Sequence, residues 1–350
     1  MLPKSSKRPS PFRHVWRFCQ RQNWGDPFPA IVGLPSHHIL CAGPYTVPFA
    51  RLAAESALAS CPAELRSQLS MYIHVDAVAK PLRQKVVTWL GEIPGVRVTY
   101  GLFGIRPGDR IPGKWHQTMV NDVVDFCAHE EHIAFIDADL FIDGPAWWDV
   151  VSRAQAADVY AFSVGMRDTR TLVHAGRVFS AIKTNLFALN TELHRRFNPQ
   201  RFTKDFAAQD RLLRQLPGGR LDIGRGIDSM VLGSLAAQAH GYRVVDLDGQ
   251  IPHCHVGGFS HIKPEKFSGK GGISQEETDI WLCRVRLINR VIDYMRQRDW
   301  LGYLDPEHLA IVAETSALVD ASAALRDRLP QLPMTSHETA FENVLLALAG

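Results

Sequence analysis

The segment HIAFIDADLFIDG, residues 132–144, carries the strongest chemical pattern in the chain. An apolar run stops at Asp137 and Asp139, and Asp143 follows. Two carboxylates two residues apart at the open end of a buried strand repel each other unless a cation neutralises them. Hard divalent cations prefer carboxylate oxygen and keep positions open for a diphosphate. The competing reading is local, with turn or N-cap aspartates opening a helix at Pro145, and Asp143 is assigned that role. A second pattern, IPHCHVGGFSHIK at 251–263, places His253 and His255 on an extended segment before Gly257 and Gly258, which allow close backbone approach. Imidazole beside two carboxylates suits Mn²⁺ as a third ligand. Alternation along the segment is read as letting only one of the two histidines face the site, and His255 is the one assigned. No second cluster at zinc-finger spacing accompanies His-Cys-His. In GIDSMVLGSLAAQAHG, Asp228 opens an apolar helix. It is either that helix's N-cap or an ionised carboxylate at a cleft edge, able to take a proton from an incoming hydroxyl.

The elements that position these residues follow from periodicity. His38–Ala42 reads as a strand, Val47–Ser60 as a helix, Leu69–Val75 as a strand and Lys80–Ile93 as an amphipathic helix with Leu82, Val86, Trp89 and Leu90 on one face. Val96–Tyr100 reads as a strand, Trp115–Ala128 as a helix and His132–Ile136 as a strand. This alternation predicts an α/β fold, a mostly parallel sheet with helices on both faces. Such sheets bind ligands beyond the carboxyl ends of their strands. Pro44 and Tyr45, then His74 and Asp76, then Asp137 and Asp139 follow strands in that way. Ser163–Lys183, rich in Arg and His, is either an acceptor wall or a solvated β-hairpin. Three segments are expected: a basic arm at 1–36, the α/β domain at 37–270 and a helical C-terminal extension at 271–350. The extension reads as an accessory layer or oligomer contact without a catalytic motif.

Composition narrows the class. The 350 residues are 46% hydrophobic and 21% charged, a globular balance with length enough for a full core. A formal net charge of +3 is too small an excess to argue for nucleic acid. Apolar runs fall well short of the roughly 18 residues of a membrane span. No apolar core follows the N-terminal charges, so no secretory signal is expected. Six scattered cysteines without CxxC pairing read as reduced thiols of a cytoplasm. In the arm, Lys4, Lys7, Arg8, Arg13, Arg17 and Arg21 precede the first acid, Asp26, with Trp16, Phe18 and Trp24 interleaved. It is either a loosely packed arm or a peripheral contact with anionic lipid at the inner face of a membrane.

Asp137-Ala138-Asp139 after an apolar strand resembles the DxD motif of glycosyltransferases with the A-type (GT-A) fold, and is most similar to that of family 2, over residues 37–262. Pro44-Tyr45 resembles that family's first-strand turn, and Asp76 falls where its second strand ends in a base-contacting aspartate. Lys114 and Asn121 resemble its segment facing the diphosphate. Asp228 with the helix to Gly241 looks like its Glu-Asp motif, and His255-Val256-Gly257-Gly258 its late His-containing loop. The chain departs from the pattern at Ile227, where a first acid is usual, and at the second strand, which lacks Asp-Asp-Gly-Ser. The retaining family 8 is also similar, through His255, Gly258, Lys263 and Pro264.

The resemblance implies a Rossmann-like GT-A fold and a metal-dependent transfer, with inversion, from a nucleotide-diphosphate sugar to a carbohydrate or lipid-linked hydroxyl. It implies Mn²⁺ or Mg²⁺ held by Asp137, Asp139 and His255. Donor contacts would come from Pro44, Tyr45, Asp76, Lys114, Asn121 and Asp137, and Asp228 would be the base. The rival readings are a haloacid-dehalogenase-like Mg²⁺-dependent phosphohydrolase, a nucleotidyltransferase and a non-catalytic scaffold. Against the phosphohydrolase, Phe141 replaces the expected Thr or Val, and roughly 100 residues of strand-helix pattern precede the aspartates. Against the nucleotidyltransferase, the first strand is followed by no Gly-rich basic loop.

Overall fold

The structure, a computed structural model, describes residues 34–43, 46–76, 80–100, 116, 119–121, 123–124, 132–153, 157–164, 172–174, 177–179, 182, 184–197, 214, 230–257, 262–267 and 274–349. Its strands are β1 (Ser36–Ala42), β2 (Met71–Asp76), β3 (Val96–Tyr100), β4 (His132–Asp137), β5 (Leu140–Ile142), β6 (Val159–Ser163), β7 (Leu172–His174), β8 (Arg177–Phe179), β9 (Leu186–Asn190), β10 (Arg243–Asp246) and β11 (His253–His255). Its helices are α1 (Val47–Ser60), α2 (Ala63–Arg66), α3 (Lys80–Gly91), α4 (Ala146–Arg153), α5 (Thr191–Phe197), α6 (Val231–Ala239), α7 (Gln275–Gln297), α8 (Pro306–Ala321), α9 (Ala323–Arg328) and α10 (Ser336–Ala349).

Seven strands form one sheet in the order β10-β6-β9-β4-β1-β2-β3. β1 runs parallel to β2 and β4, β2 to β3 and β10 to β6, while β9 lies antiparallel between β4 and β6. The mostly parallel sheet flanked by helices expected from the sequence is the one observed. Every residue of β4 before Asp137 is buried, as a central strand covered on both faces requires. Alternation divides its side chains: Ala134 and Ile136 join one core, Ile133 and Phe135 the other. The first core takes α1, α3, α4, α7 and α10, and the second takes α5, α6 and Met119–Val124. Each fully buried large apolar side chain in these layers contributes about 1.5–3 kcal/mol.

The described residues of the expected 115–128 segment are helical. The Ser163–Lys183 segment contains a hairpin in which β7 pairs antiparallel with β8. Of the basic arm, all but residues 34–36 lies outside the described residues. Among the described residues no single helix is long and apolar enough to cross a membrane.

The helices after residue 274 share the first core with the sheet, through Val285, Ile288, Val291 and Phe341. Their starts are written locally. Ser274 accepts from the Glu277 N–H at α7, and Asp305 from the Glu307 N–H at α8. Thr335 and Glu338 form a reciprocal capping box at α10, with Glu338 Oε2 accepting from Thr335 N (2.8 Å) and Thr335 Oγ1 from Glu338 N (3.2 Å). The same buried carboxylate takes Arg286 Nη2 of α7 at 2.8 Å. That guanidinium also donates to the carbonyls of Leu329, Leu332 and Pro333. One arginine therefore fastens the turn between α9 and α10 to α7.

Burial opposes ionisation of Glu338, but Arg286 and Thr335 outweigh it and hold its pKa below the ordinary value. Stability from this carboxylate is present above the unfolded pKa of about 4.3 and is lost as pH falls through the lower folded value. Arg286→Met should therefore cost on the order of 3 kcal/mol in urea unfolding at pH 7. The gap between wild type and Glu338→Gln should close below about pH 4; a gap that persists there would separate Glu338's contribution from its charge.

Candidate metal centre

The sheet order places a topological switch between β1 and β4. From β1 the chain proceeds outward through β2 and β3, and from β4 the sheet extends the other way through β9, β6 and β10. Crossovers diverging from neighbouring strands leave a crevice beyond their carboxyl ends. Asp137 is the last residue of β4, and Asp139 follows in the turn to β5. β5 then pairs antiparallel with β11, setting His255 opposite Leu140, and Asp139 O accepts from Val256 N at 3.0 Å. This two-stranded flap brings a residue over a hundred positions away back to the aspartates.

One oxygen each of Asp137 and Asp139 and one ring nitrogen of His255 lie within 4.8 Å of one another. His255 Nε2 is 3.5 Å from Asp139 Oδ1. Ligands at about 2.1 Å in an octahedron stand about 3 Å apart when adjacent and about 4 Å when opposite; the 3.5 Å pair falls in that range, and the 4.8 Å bound on the trio lies just above it, so a small closure would bring all three atoms onto one Mg²⁺- or Mn²⁺-sized ion. The donor set, two hard oxygens and one imidazole, suits the same ions.

Electrostatics make the trio asymmetric. Burial raises the Asp137 pKa, and it outweighs the hydrogen bond from His116 Nε2 to Asp137 Oδ1 at 3.2 Å. Burial acts the same way on Asp139, but His255 outweighs it and holds that carboxyl below its ordinary value. For His255, burial disfavours the imidazolium, and Asp139 and then Asp137 more than compensate, so its pKa is raised. Without a cation, then, Asp139 is paired with an imidazolium while Asp137 retains a proton more readily.

Residues beyond the trio fix its shape. Asn185 accepts the Asp137 N–H on its carbonyl at 2.8 Å, and its side-chain nitrogen lies 3.1 Å from His255 Nδ1. An amide can turn either end to that nitrogen, so Asn185 serves both protonation states of the ring. His337 of α10 accepts the His255 N–H on Nδ1 at 3.3 Å. Gly257 has φ +42°, and a Cβ there would stand 3.2 Å from the His255 ring, so glycine is required by both backbone and space.

Several sequence readings change here. His253 and His255 lie on the same face of β11, with Cys254 between them pointing into the core. What separates the histidines is the rise of about 6.8 Å over two residues, not the side of the strand. His253 Nδ1 binds the Ile251 carbonyl at 2.8 Å and its ring meets that of His337. Asp143 does not cap α4; its Oδ2 accepts from Asn343 Nδ2 of α10 at 2.9 Å. Asn121 Oδ1 takes His194 Nε2 at 2.9 Å, and His194 Nδ1 meets the Tyr160 hydroxyl. His74 is sequestered against Thr99 Oγ1 at 2.8 Å, with burial pushing its pKa down to about 4. Asp76 ends β2, beside Ala42 at the end of β1. Pro44, Tyr45, Lys114, Asp228 and Gly258 lie outside the described residues. His116, Asn185 and His337 were not singled out in the sequence; only His116, two residues after Lys114 in the segment before β4, lay beside a residue that was.

No family profile matches the chain, and no curated protein does. Among solved structures it is similar to the mannosyltransferase PcManGT from Pyrobaculum calidifontis, solved with GDP-Man and Mn²⁺ (14% identity, 97% of each chain, TM-score 0.37). It is similar also to the galactosyltransferase LgtC with donor and acceptor sugar analogues (13% identity, 60% of this chain and 72% of that one, TM-score 0.39). A third is the bifunctional glycosyltransferase WbbM (10% identity, 63% of this chain, TM-score 0.38), of whose chain only 40% is spanned.

In metal-free protein the His255 imidazolium should persist above its ordinary pKa of about 6.5. Asp139→Asn removes the largest favourable charge and should lower that pKa, read from the ring proton shift in an NMR titration. An unchanged or higher value would show that Asp139 does not hold the ring charged.

Proposed function

We propose that the chain is a metal-dependent glycosyltransferase of the GT-A type, moving a sugar from a nucleotide-diphosphate donor to a hydroxyl of a glycan, polysaccharide or lipid-linked acceptor, with inversion. The observation that carries this reading is the convergence of Asp137, Asp139 and His255 at the carboxyl end of β4, beside the switch point with β1. That the aspartates end the fourth strand, with three strand units before them, favours a transferase over a phosphohydrolase whose nucleophile ends its first strand.

In this reading Asp137, Asp139 and His255 hold Mn²⁺ or Mg²⁺. The ion supplies Lewis-acid neutralisation of the charge developing on the leaving diphosphate. Asn185 and Gly257 keep the His255 ring aimed at the aspartates, and His337 anchors its strand. Pro44, Tyr45, Asp76, Lys114 and Asn121 line the donor side. Asp228 takes the acceptor proton as the bond from the acceptor oxygen to the anomeric carbon forms and the bond to the diphosphate breaks. The enzyme works in the cytoplasm, with the basic arm touching an anionic membrane surface.

Asp137→Asn and Asp139→Asn should fold yet lose the Mn²⁺-enhanced rise in melting temperature that the best nucleoside diphosphate produces in wild type. If both variants keep that rise, these aspartates do not bind the metal.

Asn caps a helix about as well as Asp. Asp228→Asn should therefore leave folding and donor binding intact while turnover falls at least about a hundredfold. Near-normal turnover, with product of retained configuration by NMR, would move the reading to a retaining transfer.

A further inference from the structure

His116 is the first of the described residues that form the helical stretch running to Val124. Met119, Val120, Val123 and Val124 follow it at helical spacing and are buried in the second core, so His116 occupies the core-facing stripe of that helix. An apolar side chain is the ordinary occupant of such a position. The stripe begins instead with an imidazole, 18% exposed, whose Nε2 lies 3.2 Å from Asp137 Oδ1. The ring centroid also stands 6.4 Å from that of Phe187 on β9, and Phe187 stacks on Phe135 of β4 at 4.9 Å. Packing on the strand beside β4 therefore sets the place of the imidazole.

Each aspartate of the pair thus has its own histidine, and the two histidines differ. His255 belongs to the group whose ligand atoms lie within 4.8 Å of one another, and His116 does not. An ionised carboxylate only accepts, so the proton between His116 and Asp137 sits on Nε2. Oδ1 is held by that N–H, and the Asp137 main chain is held by the Asn185 carbonyl at 2.8 Å. The rotation of the carboxylate is therefore fixed from outside the cluster. Rotation matters to a cation: Ca²⁺ takes carboxylates through one oxygen or both in a flexible shell, whereas Mg²⁺ demands a near-ideal octahedron.

We propose that His116 is a positioning residue of the metal centre, which holds Asp137 to one-oxygen ligation and so biases the site toward a small octahedral ion, Mn²⁺ or Mg²⁺, over Ca²⁺. The proposal deepens the metal-dependent reading and rests on it.

Calorimetric titration of the full chain with each metal alone tests it. His116→Leu should weaken Mn²⁺ binding by about 10–100-fold, the usual cost of losing an outer partner of a ligand. Ca²⁺ binding should weaken less, so that the preference for Mn²⁺ falls. His116→Gln places a donor nitrogen where Nε2 stands and should recover most of the loss. Should His116→Leu fail to fold, His116→Asn, whose amide is too short to reach Asp137, carries the same test against His116→Gln. Unchanged Mn²⁺ affinity, equal weakening by Leu and Gln, or equal weakening of Mn²⁺ and Ca²⁺ overturns the positioning role and leaves the metal reading standing. Mn²⁺ bound to wild type should show spin coupling to one directly bound imidazole nitrogen that His116→Gln leaves in place; loss of that coupling in His116→Gln would make His116 a ligand and overturn the proposal. Wild type that binds neither Mn²⁺ nor Mg²⁺ overturns the metal reading and the proposal together.

Discussion

Two carboxylates at the end of an apolar strand set the terms for the rest of the molecule. β4 is buried along its length because it is central, and its last residue and the turn after it inherit that low-dielectric setting. Charge placed there must be answered by partners. The chain answers partially: His255 pairs with Asp139, His116 reaches Asp137, and the Asp137 N–H is capped by the Asn185 carbonyl. The pKa of Asp137 still lies above its ordinary value, so the neutralisation is incomplete. A site left short of positive charge in this way is suited to a divalent cation.

The position of the carboxylates is a consequence of sheet order. β1 and β4 are neighbours whose onward connections diverge, and that divergence opens the crevice. The flap of β5 and β11 covers one side of it, and Cys254 plugs the flap into the core while the two flanking histidines point the other way. Neighbouring histidines on the sheet have the opposite character. His37 donates nothing to the site; its Nε2 accepts from Trp147 Nε1, and burial takes its pKa down to about 3. The same side-chain type is thus a neutral packing element within β1 and a charged group at the crevice, according to whether a carboxylate stands beside it.

The C-terminal helices belong to this arrangement. α10 lies against β11 and α1, its His337 holds the strand that carries His255, and its Asn343 holds Asp143. Arg286 fastens the turn before α10 to α7. A segment with no chemical motif in its sequence therefore controls the geometry of one that has several.

By itself the sequence determined what is local. α1 and β3 fall on the expected bounds, because apolar periodicity and a proline near a helix start are read over a few residues. The aspartate pair stood out for the same reason, as charge that ends an apolar run. Alternation along HCH is also local, and it puts residues two apart on one face, so distance along the strand chose between His253 and His255. What only the tertiary structure decided is which distant residues meet. Asn185 reaches the site because β9 runs antiparallel to β4, so the residue before β9 lies beside the end of β4. His337 arrives through the packing of α10 on the flap. No spacing in the chain encodes these meetings, since strand order, register and helix packing are set by the burial of many apolar side chains at once.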